Sequence, residues 1–190
     1  MLNVYVTNLE KYNEGELCGK WVSLPVSEEK LNEVFDEIQI CHKDKDGNEV
    51  QYFNEIGCPY EEYFISDYES NIAGLEIKEY SSFEKLNELA ENIDALDDKE
   101  QEILSSLIDD CGYSTDEAFD IIDCERYRVY VDCYNMTDIA YEVVEERGYL
   151  DEIPEYLRNY FDYEAFGRDL EINGNYTYIG NGEYIEVEVY

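Results

Sequence analysis

The sequence predicts an α+β chain in three successive segments: mixed strand and helix over 1–70, helical over 71–122, and mixed again over 123–190. Three observations carry this reading. Apolar residues alternate with period two at both ends, helix-capping patterns repeat through the middle, and turn signals separate the runs. A length of 190 residues allows one ordinary domain or two to three small ones.

In the first segment Leu2, Val4 and Val6 alternate with Asn3, Tyr5 and Thr7, the pattern of a strand with one buried face. Trp21, Val22 and Leu24 predict a second strand, ended by Pro25. Ser27 is placed to cap a helix in which Leu31, Val34, Phe35 and Ile38 fall at i, i+3, i+4 and i+7. Asp44-Lys45-Asp46-Gly47-Asn48 reads as a hairpin turn between Ile40 and Val50, and Tyr63 to Tyr68 as a further strand.

The middle segment repeats the capping box. Ser81 with Glu84 precedes Phe83, Leu86, Leu89 and Ala90; Asp97 with Glu100 precedes Ile103, Leu104, Leu107 and Ile108. Gly112 ends the second helix, and Ser114 with Glu117 opens a third that carries Ala118, Phe119 and Ile122. In the last segment Tyr127, Val129, Val131 and Cys133 form the predicted inner face of a strand. Thr137 is the expected cap of a helix bearing Ala140, Val143 and Val144, closed by Arg147 and Gly148. Pro154 suits the first turn of a short helix. Tyr176 to Ile179 and Tyr184 to Val189 flank Asn181-Gly182, a hairpin signal.

Charge narrows the function classes. The chain has 48 Asp and Glu against 13 Lys and Arg, a net of −35. With 44% hydrophobic and 15% aromatic residues it is not a disordered acidic tail. The balance excludes nucleic-acid binding through a basic face, because neutralising phosphates takes clustered Lys and Arg. It also argues against anionic membrane surfaces. The charge is spread evenly: 16 acids and 5 bases over 1–70, 15 and 3 over 71–122, 17 and 5 over 123–190. Halophilic adaptation or cation buffering would account for it blandly. The sharper reading is a negative field aimed at a basic partner.

The opening Met1-Leu2-Asn3-Val4-Tyr5-Val6 lacks the basic and apolar regions of a signal peptide, and no run approaches the length of a membrane span. The expected location is therefore cytoplasmic. There the six scattered cysteines (Cys18, Cys41, Cys58, Cys111, Cys124, Cys133) read as free thiols.

Catalytic and cofactor motifs fail on spacing. Gly15-Glu16-Leu17-Cys18-Gly19-Lys20 has three residues between its glycines where a phosphate loop has four, and Trp21 stands where Ser or Thr would bind magnesium. Gly180-Asn181-Gly182 lacks the third glycine of a dinucleotide loop. Calcium loops aligned on Gly47 or Gly174 end at Phe53 or Gly180, without the bidentate Glu. His42, the single histidine, sits beside Cys41, and adjacent strand residues point to opposite faces. Among 48 acids, pairs such as Asp97-Asp98 and Asp109-Asp110 read as solvated surface. The expectation is no enzyme, no cofactor and no metal.

Three stretches together resemble the ArdA-type antirestriction proteins of mobile genetic elements. They are Lys11-Tyr12-Asn13-Glu14-Gly15-Glu16-Leu17 with Gly19-Lys20-Trp21; Asp67-Tyr68-Glu69; and Ile153-Pro154, Leu157, Asn159-Tyr160 followed by Asp162-Tyr163-Glu164-Ala165-Phe166-Gly167-Arg168-Asp169-Leu170. The similarity runs through nearly the whole chain in order, with a longer stretch from about Gln39 to Tyr60 as the departure.

The resemblance implies an elongated homodimer of three small domains per chain, and the three segments read above bound them at 1–70, 71–122 and 123–190. It implies a mimic of double-stranded DNA that occupies the DNA-binding channel of Type I restriction-modification enzymes, the methyltransferase core with its specificity subunit. Candidates for the mimic surface are Asp97, Asp98, Asp109, Asp110, Asp116, Glu117, Asp120, Glu145 and Glu146. The implied antirestriction and dimer motif spans Tyr149 to Phe161, with candidates Tyr149, Leu150, Ile153, Pro154, Leu157, Tyr160 and Phe161. Duplex DNA carries one charge per about 1.7 Å, so 35 charges match roughly 60 Å of duplex. The alternative is an acidic protein that mimics DNA toward a different basic DNA-binding partner.

Overall fold

A computed structural model describes residues 1–188. The chain is α+β, with eight helices and eight strands in small antiparallel sheets among the described residues. In order these are β1 (Leu2–Asn8), α1 (Leu9–Asn13), β2 (Gly19–Leu24), α2 (Glu28–Glu37), β3 (His42–Lys43), β4 (Glu49–Val50), β5 (Tyr63–Ser70), α3 (Phe83–Ala95), α4 (Asp98–Asp109), α5 (Thr115–Asp123), β6 (Tyr127–Tyr130), α6 (Met136–Glu146), α7 (Glu155–Arg158), α8 (Tyr163–Asn173), β7 (Tyr176–Gly180) and β8 (Glu183–Val187). Two compact units divide after Glu102, inside α4: residues 1–102 and residues 103–190.

In the first unit β1 is the central strand of a β2-β1-β5 sheet, with Val4 opposite Val22 and Tyr68. Its period-two pattern does what the sequence expects: Leu2, Val4 and Val6 are buried on one face with Val22, Leu24 and Ile65. Each such side chain contributes about 1.5–3 kcal/mol by leaving water. Asn8 ends the strand fully buried. Its Oδ1 accepts the Lys11 N–H at 3.0 Å, which starts α1, and its Nδ2 donates to the carbonyls of Ile38 and Gln39, both at 3.0 Å. One side chain thus caps a helix and ties the strand to the end of α2. Ser27 caps α2 as expected, accepting the Lys30 N–H. The Asn87 amide of α3 clamps both the N–H and the C=O of Val26 at 2.8 Å. Phe35, Tyr63 and Phe83 form a ring cluster with centroids 5.2–6.0 Å apart. The Asp44 turn joins β3 to β4, its carboxylate accepting the N–H groups of Asp46 and Asn48.

One cap shifts by a residue. Ser82, not Ser81, caps α3: its hydroxyl accepts the Lys85 N–H and its carbonyl the Leu86 N–H, while Ser81 lies in the preceding turn that closes on Lys78. Asp97 and Glu100 form the expected reciprocal pair at the start of α4, both bonds at 2.8 Å.

In the second unit α4 contributes buried Ile103, Leu104 and Leu107, and α5 contributes Ala118, Ile121 and Ile122. Gly112 takes the left-handed φ of +76° that ends a helix, and Ser114 with Glu117 completes a capping box. The sheet order is β6-β8-β7, with Asn181 and Gly182 both at positive φ in the hairpin, as that turn requires. Val189, expected in the last strand, lies outside the described residues.

Two expectations are corrected here. Strand β6 ends at Tyr130, and its buried member is Tyr130 itself, whereas Val131 is exposed. The reason is chemical: the Tyr130 hydroxyl donates to Glu186 at 2.8 Å, and Asp132 turns the chain at φ +59°. Asn135, not Thr137, caps α6, its Oδ1 accepting the N–H groups of Thr137 and Asp138. Helix α8 packs against α6 through Gly167, where an added Cβ would stand 2.5 Å from the Met136 carbonyl oxygen. Tyr130, Cys133, Ile139 and Val143 form the core there, flanked by Phe166, Leu170, Tyr176 and Tyr184.

Candidate protein-binding surface

The nine acids singled out from sequence are all exposed, and the fold divides them by how they are used. Asp97 and Glu117 are engaged as helix caps; the Ser114 hydroxyl and N–H hold the Glu117 carboxyl below its usual range. Asp120 pairs with Arg126, and Glu146 with Arg128. Asp98, Asp109, Asp110, Asp116 and Glu145 have no ion-pair partner among the described residues. In the second unit, Asp109 ends α4, Asp110 follows it in the turn, and Asp116 and Asp120 lie one turn apart on α5.

The residues from Tyr149 to Phe161 do not form one helix. Turns follow α6, and only α7, four residues long, is helical. Pro154 precedes α7 at its N-cap. Leu150 is buried and Ile153 half-buried, while Phe161 packs edge-on against Tyr163 and Phe166 at 4.8 and 5.6 Å. Arg158 fixes the loop from within, donating to the carbonyls of Ile153 and Asp151 at 3.0 Å. Held this way, Tyr149, Tyr156, Leu157 and Tyr160 face solvent, at 50, 72, 43 and 83% exposure. Tyr is a residue type that interfaces enrich. Tyr156 lies inside the implied motif but is not among its named candidates.

A second feature unseen in the sequence is the hub around Glu186. Its carboxylate accepts from Tyr130 at 2.8 Å, Tyr176 at 2.7 Å, and Arg147 through both oxygens at 2.8 Å. Burial opposes its ionisation, yet the Arg147, Tyr176 and Tyr130 donors outweigh burial and lower its pKa. Burial and this acceptor push the Tyr130 hydroxyl up to about 12. The open cleft of about 730 Å³ beside the hub is lined by Arg128, Glu146, Arg147 and Glu186, whose charges are spent on one another.

The charge is matched between the units but its make-up is not. Residues 1–102 carry 26 acids and 8 bases, residues 103–190 carry 22 and 5, so the nets are −18 and −17. All 8 bases of the first unit are lysines and all 5 of the second are arginines. Among the described residues no group of three His, Cys, Asp or Glu side chains is arranged to hold a metal, and no helix is long and apolar enough to cross a membrane.

No curated protein sequence matches the chain. The family model described as antirestriction protein (ArdA) matches residues 4–186.

Proposed function

Because the chain belongs to the ArdA antirestriction family, an inhibitor family whose targets are restriction enzymes, we propose the finer reading that it inhibits Type I restriction-modification enzymes in the cytoplasm as a mimic of duplex DNA. The observation that carries this reading is the pair of nets, −18 and −17, on two folded units whose candidate acids all face solvent. Carboxylates accept charge-assisted hydrogen bonds from Arg and Lys as phosphate oxygens do. Occupying a DNA channel takes sign and spacing and no bond chemistry, so no catalytic constellation is needed. The same reading keeps the three domains at 1–70, 71–122 and 123–190. It places the two-fold contact at Tyr149 to Phe161, where Leu157 and its exposed tyrosines meet their copies and apolar burial offsets the repulsion of two −35 chains.

Competition against a DNA duplex for a Type I methyltransferase core, titrated at several salt concentrations, tests the mimic. Displacement of duplex that weakens as salt rises is expected. A salt-independent block, or none, would count against it. Sedimentation of Leu157→Glu tests the dimer: a folded monomer with weaker inhibition is expected, whereas a folded dimer would move the contact elsewhere.

A further inference from the structure

The β2-β1-β5 sheet has a second face, opposite its core, that the mimic candidates above do not include. Register puts Tyr5 between Trp21 and Asp67, and Asn3 between Ser23 and Glu69. Paired residues point to the same side of a sheet, so two rings lie on β2 and β1 and two carboxylates on β5, a strip about 10 Å across. The rings of Tyr5 and Trp21 meet edge to face, centroids 5.4 Å apart. Gly19 fixes that pair: an added Cβ there would stand 2.5 Å from the Tyr5 ring, so the ring lies flat along the sheet.

The face combines exposed rings with unpaired carboxylates. Trp21 is 42% exposed, and Ser23, Asp67 and Glu69 are exposed. Asp67 and Glu69 have no ion-pair partner among the described residues. The one lysine of the three strands, Lys20, stands opposite Val6 on the core side and pairs with Glu37. Among the described residues no cation of the chain lies over Trp21 or Tyr5. At the same time the buried Oδ1 of Asn3, an acceptor on the floor of the face, has no donor among the described residues.

We propose that this face docks arginine side chains of the inhibited enzyme, a reading that rests on the DNA-mimic function. A planar guanidinium stacks on Trp21, the strongest cation–π ring, while its N–H groups reach the carboxylates across Tyr5. Lysine has the charge but neither the plane nor the fork. The face thereby offers an arginine an anion, as a DNA phosphate does, beside a ring on which the guanidinium plane stacks.

Trp21 is the single tryptophan of the chain, so its emission reports on this face alone. The whole protein is titrated with hexa-arginine and hexa-lysine at low salt, following emission and, in parallel, calorimetric heat. Hexa-arginine should quench Trp21 more strongly than hexa-lysine. Asp67→Asn/Glu69→Gln, which leaves the ring pair in place, should weaken hexa-arginine binding about fivefold. The control Asp109→Asn/Asp110→Asn should change it less. Trp21→Leu should lower affinity for hexa-arginine but not for hexa-lysine. Calorimetric binding without any change at Trp21, or equal losses in the two acid pairs, would overturn the proposal. A Type I methyltransferase should also shield Trp21 from acrylamide. If the enzyme is inhibited while Trp21 stays unshielded, the face is refuted and the mimic stands; if the enzyme is not inhibited at all, the mimic fails and the peptide titrations still decide the face.

Discussion

The two units carry nearly the same net charge and are fastened in different ways. In residues 1–102 the bases are lysines; Lys11 with Glu16 and Lys30 with Glu33 pair within a few residues, and Lys20 on β2 pairs with Glu37 on α2, each with an exposed carboxylate. Such pairs contribute about 0–1 kcal/mol. Neutral amides also join elements here, Asn8 tying β1 to the end of α2 and Asn87 of α3 clamping Val26. In residues 103–190 the bases are arginines, and two of them reach other elements: Arg128 on β6 to Glu146 on α6, and Arg147 after α6 to Glu186 on β8. A guanidinium gives two directed bonds where an ammonium gives a mobile point charge. A chain of −35 has few cations to spend, and the second unit spends its own on architecture.

The largest effect that would break this comparison is at the hub. Glu186→Ala strips the partner from Arg147 and from two half-buried tyrosine hydroxyls, and should cost about 3–5 kcal/mol. Lys20→Met in the first unit should stay within about 0.5 kcal/mol of wild type. Urea unfolding of both variants checks the contrast; equal losses would mean that the arginines are not special.

Amide fastening in the first unit predicts a middle-sized effect. Asn8→Ala removes a helix cap and leaves two carbonyls without their donor, for a loss of about 2 kcal/mol. Gly167→Ala probes the second unit without touching charge, since its methyl meets the Met136 backbone, and should cost about 1–3 kcal/mol. Thermal melts of the two variants measure both.

The smallest effect is one of pH. Glu186 is a carboxyl whose folded pKa is lowered, so it stabilises fully above its unfolded value of about 4.3 and loses that contribution as pH falls through the folded one. Glu186→Gln has nothing to titrate there. The stability gap between wild type and Glu186→Gln should therefore be constant near pH 7 and narrow below about 4.3. A gap that widens in acid would reverse the sign of the argument.

What the sequence made legible was local. Period-two alternation located β1, and short-range caps located α2, α4 and α5, because each signal is complete within a few residues. Ser81 and Thr137 miss the caps by one or two residues, because Ser82 and Asn135 accept the bonds. Strand β6 is packed on both faces, which alternation cannot show: Val129 stands opposite fully buried Ile185 as expected, while Tyr130 on the other face turns inward for a carboxylate 56 residues away. Helix α1 is too short to show a period, and α8 is recognisable chiefly by its fit to α6 at Gly167. The nine acids were legible as exposed, but their division into caps, ion-paired groups and unpaired groups was not, since Arg126 and Arg128 find their partners only in the folded chain.

The separation of lysine from arginine also makes the chain chemically two-faced. Every side-chain amine lies within residues 1–102, so amine-reactive dyes, acylating agents and amine-coupled supports address the first unit and leave the second unmodified. Guanidine-directed reagents such as dicarbonyls do the reverse. A single preparation can thus be tagged, tethered or footprinted one unit at a time, with no cysteine introduced and no residue replaced.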